Sequence, residues 1–176
     1  MYDNDLSELI FKKNINKYKK PAIFFDRDGV LIKDYNYISN PANVVLEKCS
    51  KSLIRYAYKQ GWIIIIVTNQ SGISRKLFTW EDYLKITYKM ISLFEEPNPF
   101  YAIYANSQGP NTKNHNWRKP SPDMIIRAAK FFNIDLEKSI IIGDRASDII
   151  SGIKSGLKII VHTNTGHGKA ERGKIL

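Results

Sequence analysis

The sequence predicts a doubly wound α/β domain, a parallel β-sheet covered by helices on both faces. Three observations carry this expectation. First, residues 22–25 (Ala-Ile-Phe-Phe), 62–67 (Trp-Ile-Ile-Ile-Ile-Val) and 140–142 (Ile-Ile-Ile) are apolar without alternation. A strand with one wet face alternates apolar and polar residues, so unbroken runs read as strands buried on both faces. Second, segments of helical periodicity fill the gaps between the runs. Third, each run ends on a polar residue: Asp26, Thr68 and, after Gly143, Asp144. Ligands of open α/β sheets bind at the carboxyl ends of the strands, so three polar residues at one edge predict a site.

The helices follow in order. Leu46, Cys49, Leu53 and Ala57 fall on one helical face, and Gly61 is placed to end that helix. Thr79 caps a second helix, with Asp82 three residues on and Tyr83, Ile86 and Met90 as its apolar stripe. Ser121-Pro122 opens a third, continued by Met124, Ile125, Ala128 and Phe131 or Phe132. Ser147 begins a fourth that runs through Ile149, Ile150 and Ile153 to Gly156. Further strands are expected at residues 101–105 and 158–161, and a loop over 106–117, which is rich in Asn, Gly and Ser.

Length and composition set the frame. The 176 residues suffice for one domain with a sizeable core. The net charge of +10 suits an anionic partner, whether a phosphorylated metabolite, a nucleic acid or an acidic membrane. A single cysteine, Cys49, excludes an intrachain disulfide and a thiolate zinc cluster, and fits a reducing, cytoplasmic setting. No apolar run approaches the ~18 residues of a membrane span. Residues 1–20 lack the pattern of a signal peptide. They read as a basic extension, carrying Lys12, Lys13, Lys17, Lys19 and Lys20, that is solvated or loosely packed ahead of the domain at 21–176.

Four motifs stand at the predicted strand and helix ends. Asp26-Arg27-Asp28-Gly29-Val30 places two acids one residue apart, with a glycine permitting the turn that aims both into one pocket. Thr68-Asn69-Gln70-Ser71-Gly72 offers a hydroxyl and turn amides for phosphate oxygens. Arg118-Lys119-Pro120 sets two cations before a helix start, where an anion is favoured. Gly143-Asp144-Arg145 with Asp148 adds two more acids. Each motif alone is weak, since acids and basic pairs mostly sit on solvated turns. In this order, each at a strand or helix end, they suit hydrolysis of a phosphate monoester. That reaction needs a nucleophile, a proton donor and positive charge on the phosphoryl oxygens. A carboxylate attacks a phosphate dianion only where a cation such as magnesium offsets their repulsion.

These motifs resemble those of the haloacid-dehalogenase (HAD) superfamily phosphatases over about residues 21–165. DRDGV, VTNQSGI, RKPSPDM and GDRASD are most similar to those of the D-glycero-D-manno-heptose 1,7-bisphosphate phosphatases and the related histidinol-phosphatases. The resemblance implies a Rossmann-like fold, with Asp26 as the residue phosphorylated and Asp28 as general acid, then base. It implies that Thr68, with Asn69 and Gln70 beside it, binds the phosphoryl group and that Lys119 neutralises its charge. Asp144 would hold magnesium with Asp26 and the backbone carbonyl of Asp28, and Asp148 would support Lys119 or a metal-bound water. Arg118 and Arg145 match positions that recognise the non-reacting end of the substrate, which suits a sugar bisphosphate. The spacing from Asp28 to Thr68 and from Thr68 to Lys119 leaves no room for a cap domain.

Two departures matter. Many such proteins carry a Cys/His zinc loop before the Arg-Lys-Pro motif; here only His115 offers a ligand, so no structural zinc is expected. The stretch from His162 to Gly168, with His167 inside it, is read as a solvated turn. The expected activity is that of a heptose-bisphosphate 7-phosphatase in activated-heptose biosynthesis, acting as a monomer on a small phosphorylated sugar. Histidinol-phosphate phosphatase is the enzymatic alternative. A polynucleotide-end phosphatase or nucleic-acid binder is the reading of another class, and no basic stripe interleaved with aromatics supports it.

Overall fold

The computed structural model describes residues 2–3, 5–13, 17–110 and 117–175. Among them, seven strands form one sheet in the order β1-β2-β5-β4-β3-β6-β7. The apolar runs supply its centre: β3 (Ala22–Phe25), β4 (Ile63–Asn69) and β6 (Ile140–Gly143). β5 (Ala102–Asn106) and β7 (Ile159–His162) flank them, each one residue later than the sequence suggests. All five run parallel.

The unbroken apolar runs have a simple cause. Successive side chains point to opposite faces, so both faces of β3 and β4 must be covered. Ile23, Phe25, Ile64 and Ile66 pack on one face under α1 (Ser50–Lys59) and α2 (Trp80–Ser92), through Ile54, Ala57, Ile86 and Met90. Ala22, Phe24, Ile63, Ile65 and Val67 pack on the other under α3 (Asp123–Phe132), through Met124, Ile125, Ala128 and Phe132. α4 (Ala146–Ser155) lies on this second face, and Gly152 makes its approach possible. A Cβ at Gly152 would sit 2.6 Å from Ile141 Cγ2. α5 (Gly168–Glu171) closes the chain near the same edge. Two helices cover each face, as a doubly wound domain requires, and no cap domain interrupts the described residues.

Three local expectations are corrected. α1 buries Ser50, Ile54 and Ala57, while Leu53 is 40% exposed and Cys49 precedes the helix with φ +69°. Leu46 lies outside α1, bridging to Ile32 in the loop after β3. The apolar stripe was therefore read one position out of phase. In α4, Ile149 is buried but Ile150 and Ile153 are exposed, because the sheet side of that helix is lined by small residues, Ser151, Gly152 and Ser155. α2 keeps its expected capping box, Thr79 with Asp82, and its Tyr83, Ile86 and Met90 stripe.

The third correction concerns residues 1–20. Tyr2–Asp3 form β1 and Leu6–Ile10 form β2, which pairs antiparallel with β5 from Leu6↔Asn106 to Ile10↔Ala102. The extension is thus in part a strand of the sheet. Its polar Ser7 and Glu8 hide the strand in the sequence, yet Ser7 is buried. Without β2, the hydrogen-bonding edge of β5 would be open.

Candidate active site

Parallel strands deliver their carboxyl ends to one edge, and the four motifs meet there. Asp26 leaves β3, Thr68 ends β4, Asp144 follows β6, and Lys119 enters from the loop before α3. Lys119 is buried, and its Nζ lies 2.6 Å from Asp26 Oδ1, 2.6 Å from Asp148 Oδ1 and 2.7 Å from the Val67 carbonyl. One ammonium thus fixes two carboxylates and a strand end, all out of water. The loop holding Lys119 is itself tied to β4: Asn69 Oδ1 accepts from the Lys119 N–H at 3.0 Å, and Asn69 Nδ2 donates to its carbonyl at 3.0 Å.

Asp26, Asp144 and Asp148 each offer an oxygen within 4.8 Å of the others, and all three are buried. Asp144 Oδ2 accepts from the His167 N–H at 2.7 Å, whereas Oδ1 is buried with no hydrogen-bond partner. Burial pushes Asp26 up to about 8 against the pull of Lys119, with Asp148, Asp144 and Asp28 adding to the rise. Burial likewise pushes Asp144 up to about 6. Hard, closely spaced carboxylate oxygens with one unpaired lone-pair donor fit a magnesium ion.

Asp28 faces another way. Its carboxylate receives the Arg27 guanidinium through Nη2 at 2.9 Å and Nε at 3.1 Å, and Gln70 Nε2 at 2.8 Å. Gln70 Nε2 also donates to Thr68 Oγ1 at 2.9 Å, and Gln70 Oε1 accepts from Arg27 Nη2 at 3.0 Å. Arg27 is 1% exposed and lies 5.3 Å over the Tyr83 ring. The pair of acids one residue apart is thus split, Asp26 toward Lys119 and the acid cluster, Asp28 toward Arg27 and Gln70. Gly29 makes the turn just after them possible with φ +83°. A Cβ there would lie 2.6 Å from Asp144 Oδ2 and 2.9 Å from Gly166 Cα.

A cleft of about 390 Å³ opens over these groups. Arg118 and Arg145 line it, as the sequence places them, and so do Arg75, Tyr37 and Asp34, which sequence reasoning missed. Burial, then the nearby guanidiniums of Arg75 and Arg145, push the Arg118 pKa down, so three cations crowd one wall. Arg75 donates to Tyr37 Oη at 2.7 Å, and Asp34 Oδ2 pairs with Arg145 at 3.3 Å and His167 Nε2 at 3.0 Å. Arg75 follows Thr68 by seven residues, a spacing without a motif. The turn read as solvated instead backs the site. His162 Nε2 lies 3.0 Å from the Asp144 carbonyl, and the His167 N–H holds Asp144. His115 lies outside the described residues.

A strand-edge aspartate ion-paired to a buried lysine, beside an acid cluster on a capless α/β sheet, defines a HAD-type phosphatase. Comparison with known proteins narrows this. Residues 21–165 match the family described as polynucleotide kinase 3 phosphatase, and the chain belongs to that family. It is 37% identical over 147 residues to the D-glycero-β-D-manno-heptose-1,7-bisphosphate 7-phosphatase of Helicobacter pylori, covering 82% of each chain. It is 35% identical to the protein of the same name from Mesorhizobium japonicum, over 78% of this chain and 66% of that one. Among solved structures, the D,D-heptose 1,7-bisphosphate phosphatase of B. bronchiseptica, complexed with magnesium and phosphate, matches with a TM-score of 0.81. The identity is 26%, over 88% of this chain and 86% of that one. The described residues contain no helix long and apolar enough to cross a membrane.

Proposed function

We propose that this phosphatase removes the 7-phosphate of D-glycero-D-manno-heptose 1,7-bisphosphate through a phosphorylated Asp26, with magnesium, in activated-heptose biosynthesis. The observation that carries the reading is the pairing of two features in one cleft. One is an aspartate held by a buried lysine beside an acid cluster; the other is a group of three arginines, Arg75, Arg118 and Arg145, that line the same cleft. The names of the curated relatives support the substrate.

Asp26 supplies the attacking oxygen, and Lys119 balances charge on the transferring phosphoryl group. Thr68 Oγ1 and the amides of the following turn receive its oxygens. Asp28 donates a proton to the leaving sugar oxygen, then takes one from the water that releases phosphate. Arg27 and Gln70 fix its orientation for both steps. Asp26, Asp144 and Asp148, with the Asp28 carbonyl, would hold a magnesium ion, which would supply the positive charge a dianion needs before a carboxylate can approach. Arg118, Arg145 and Arg75 bind the second phosphate, as cations grouped on one wall favour a second anion. On this reading the enzyme works as a cytoplasmic monomer.

Phosphate release from the heptose bisphosphate, the heptose monophosphates, histidinol phosphate and a 3′-phosphorylated oligonucleotide, with and without magnesium, tests this. The bisphosphate is expected to give the highest kcat/KM. Equal activity on the monophosphate contradicts the role of the arginine wall. The polynucleotide reading has two observations in its favour, the description of the matching family and the charge of +10. Preference for the oligonucleotide, with the steep salt dependence of polyanion binding, would establish it instead.

A further inference from the structure

The substrate wall is anchored from an unexpected direction. Asp5, just ahead of β2, grips the last residue of β5 and the two that follow it. Its carbonyl accepts from the Ser107 N–H at 2.9 Å and from Asn106 Nδ2 at 3.2 Å. Its carboxylate accepts from Ser107 Oγ at 3.1 Å and from Gln108 Nε2 at 3.2 Å. Those residues lead straight to the site. The Asn106 carbonyl accepts from the Gln70 N–H at 2.6 Å, and the Gln108 carbonyl accepts from Arg118 Nη1 at 2.8 Å.

A second contact holds the far flank of the same loop. Glu8 of β2 pairs with Arg127 of α3, Nη2 to Oε2 at 3.1 Å, and Arg127 lies 5.2 Å over the ring of Trp117. Trp117, with φ +83°, is the residue before Arg118. One short strand therefore holds both flanks of the segment that presents Arg118.

We propose that the N-terminal strand is a brace that positions the substrate-recognition loop, with Asp5 as the positioning residue that sets Arg118 over the cleft. Hydrogen bonds to a carboxylate are about twice as strong as neutral ones, which suits the Asp5 side chain to this task. The Asp5 side chain acts on recognition, because its carboxylate holds Ser107 and Gln108, while Asn106, the partner of Gln70, is held by the Asp5 backbone carbonyl that every variant keeps. The inference rests on the reading that Arg118 contacts the second phosphate.

The test compares wild type, Asp5→Ala and Asp5→Asn on three compounds: the heptose bisphosphate, the heptose 7-monophosphate and p-nitrophenyl phosphate. Hydrogen–deuterium exchange is followed at Ser107 and Gln108. Asp5→Ala is expected to raise KM for the bisphosphate about tenfold, the loss of about one charge-assisted contact. Its kcat and its rate on p-nitrophenyl phosphate stay at the wild-type level, exchange at 107–108 quickens, and Asp5→Asn restores KM. An unchanged KM and unchanged exchange in Asp5→Ala overturn the brace, as does an equal loss on p-nitrophenyl phosphate, which marks an effect on the whole fold. Should wild type itself treat bisphosphate and monophosphate alike, the reading of Arg118 fails. Exchange at 107–108 then still decides whether Asp5 orders the loop.

Discussion

Asp26 and Lys119 show how burial and charge set a residue's chemistry. A carboxylate buried this deeply resists ionisation, and Asp26 and Asp144 are held up at about 8 and about 6. The sign of the consequence follows from linkage. The folded, metal-free protein keeps protons that the unfolded chain releases, so its stability falls as pH rises from the ordinary carboxyl range through about 8. A divalent cation binds the ionised form and displaces those protons, so its stabilisation grows over the same window. Melting temperature measured with and without magnesium is expected to show a larger magnesium-induced rise at about pH 8 than at about pH 5.5. A rise independent of pH would place the ion elsewhere. Most individual positions were legible at this scale, because Asp26, Asp28, Thr68, Lys119 and Asp144 each stand at a strand or helix end, and Asp148 was placed beside Lys119, where its 2.6 Å contact puts it. Arg75 and Tyr37 were not, since an arginine and a tyrosine in a turn carry no signal until the fold brings them together.

Elements explain which substitutions the fold tolerates. Gly29 takes a left-handed turn against Asp144, so Gly29→Ala meets both strain and a clash. It is expected to cost about 2 kcal/mol and to remove most of the magnesium-induced rise in melting temperature. Unaltered magnesium stabilisation in that variant would separate the turn from the acid cluster. α4 gives a second contrast. Ile149 is buried and Ile153 is 61% exposed, so Ile149→Ala should cost about 2–4 kcal/mol and Ile153→Ser within about 0.5 kcal/mol, by urea unfolding. The long apolar runs made the central strands readable, because being covered on two faces leaves a sequence mark that no other element mimics. The phase of α4 was misread because small residues, Ser151, Gly152 and Ser155, face the sheet, and a pattern weighted by hydrophobicity overlooks them. In α1 the stripe passes through Ile54, not its equally apolar neighbour Leu53. β2 was invisible for a different reason: a strand of mixed polarity is defined by its partners, not by its own composition.

At the scale of the molecule, the sheet acts as a device for convergence. Strands from distant parts of the chain end at one edge, and two layers of helices keep that edge dry enough for a lysine and three carboxylates to share it. The N-terminal strand, at the opposite side of the sheet's order from β7, reaches the same cleft through the loop after β5. In the proposed function, recognition and chemistry share that cleft: Arg118 directly precedes Lys119 and Arg145 directly follows Asp144. The central claim is that Asp26 carries the phosphoryl group during turnover. Acid quenching during steady-state hydrolysis of the heptose bisphosphate, borohydride reduction of any acyl phosphate and mass spectrometry of the peptide containing position 26 measure this directly. The account predicts reduction at Asp26 in the wild type and none in Asp26→Asn, which also loses turnover while keeping its fold. Rapid turnover with an unlabelled Asp26, or an active Asp26→Asn enzyme, would contradict it.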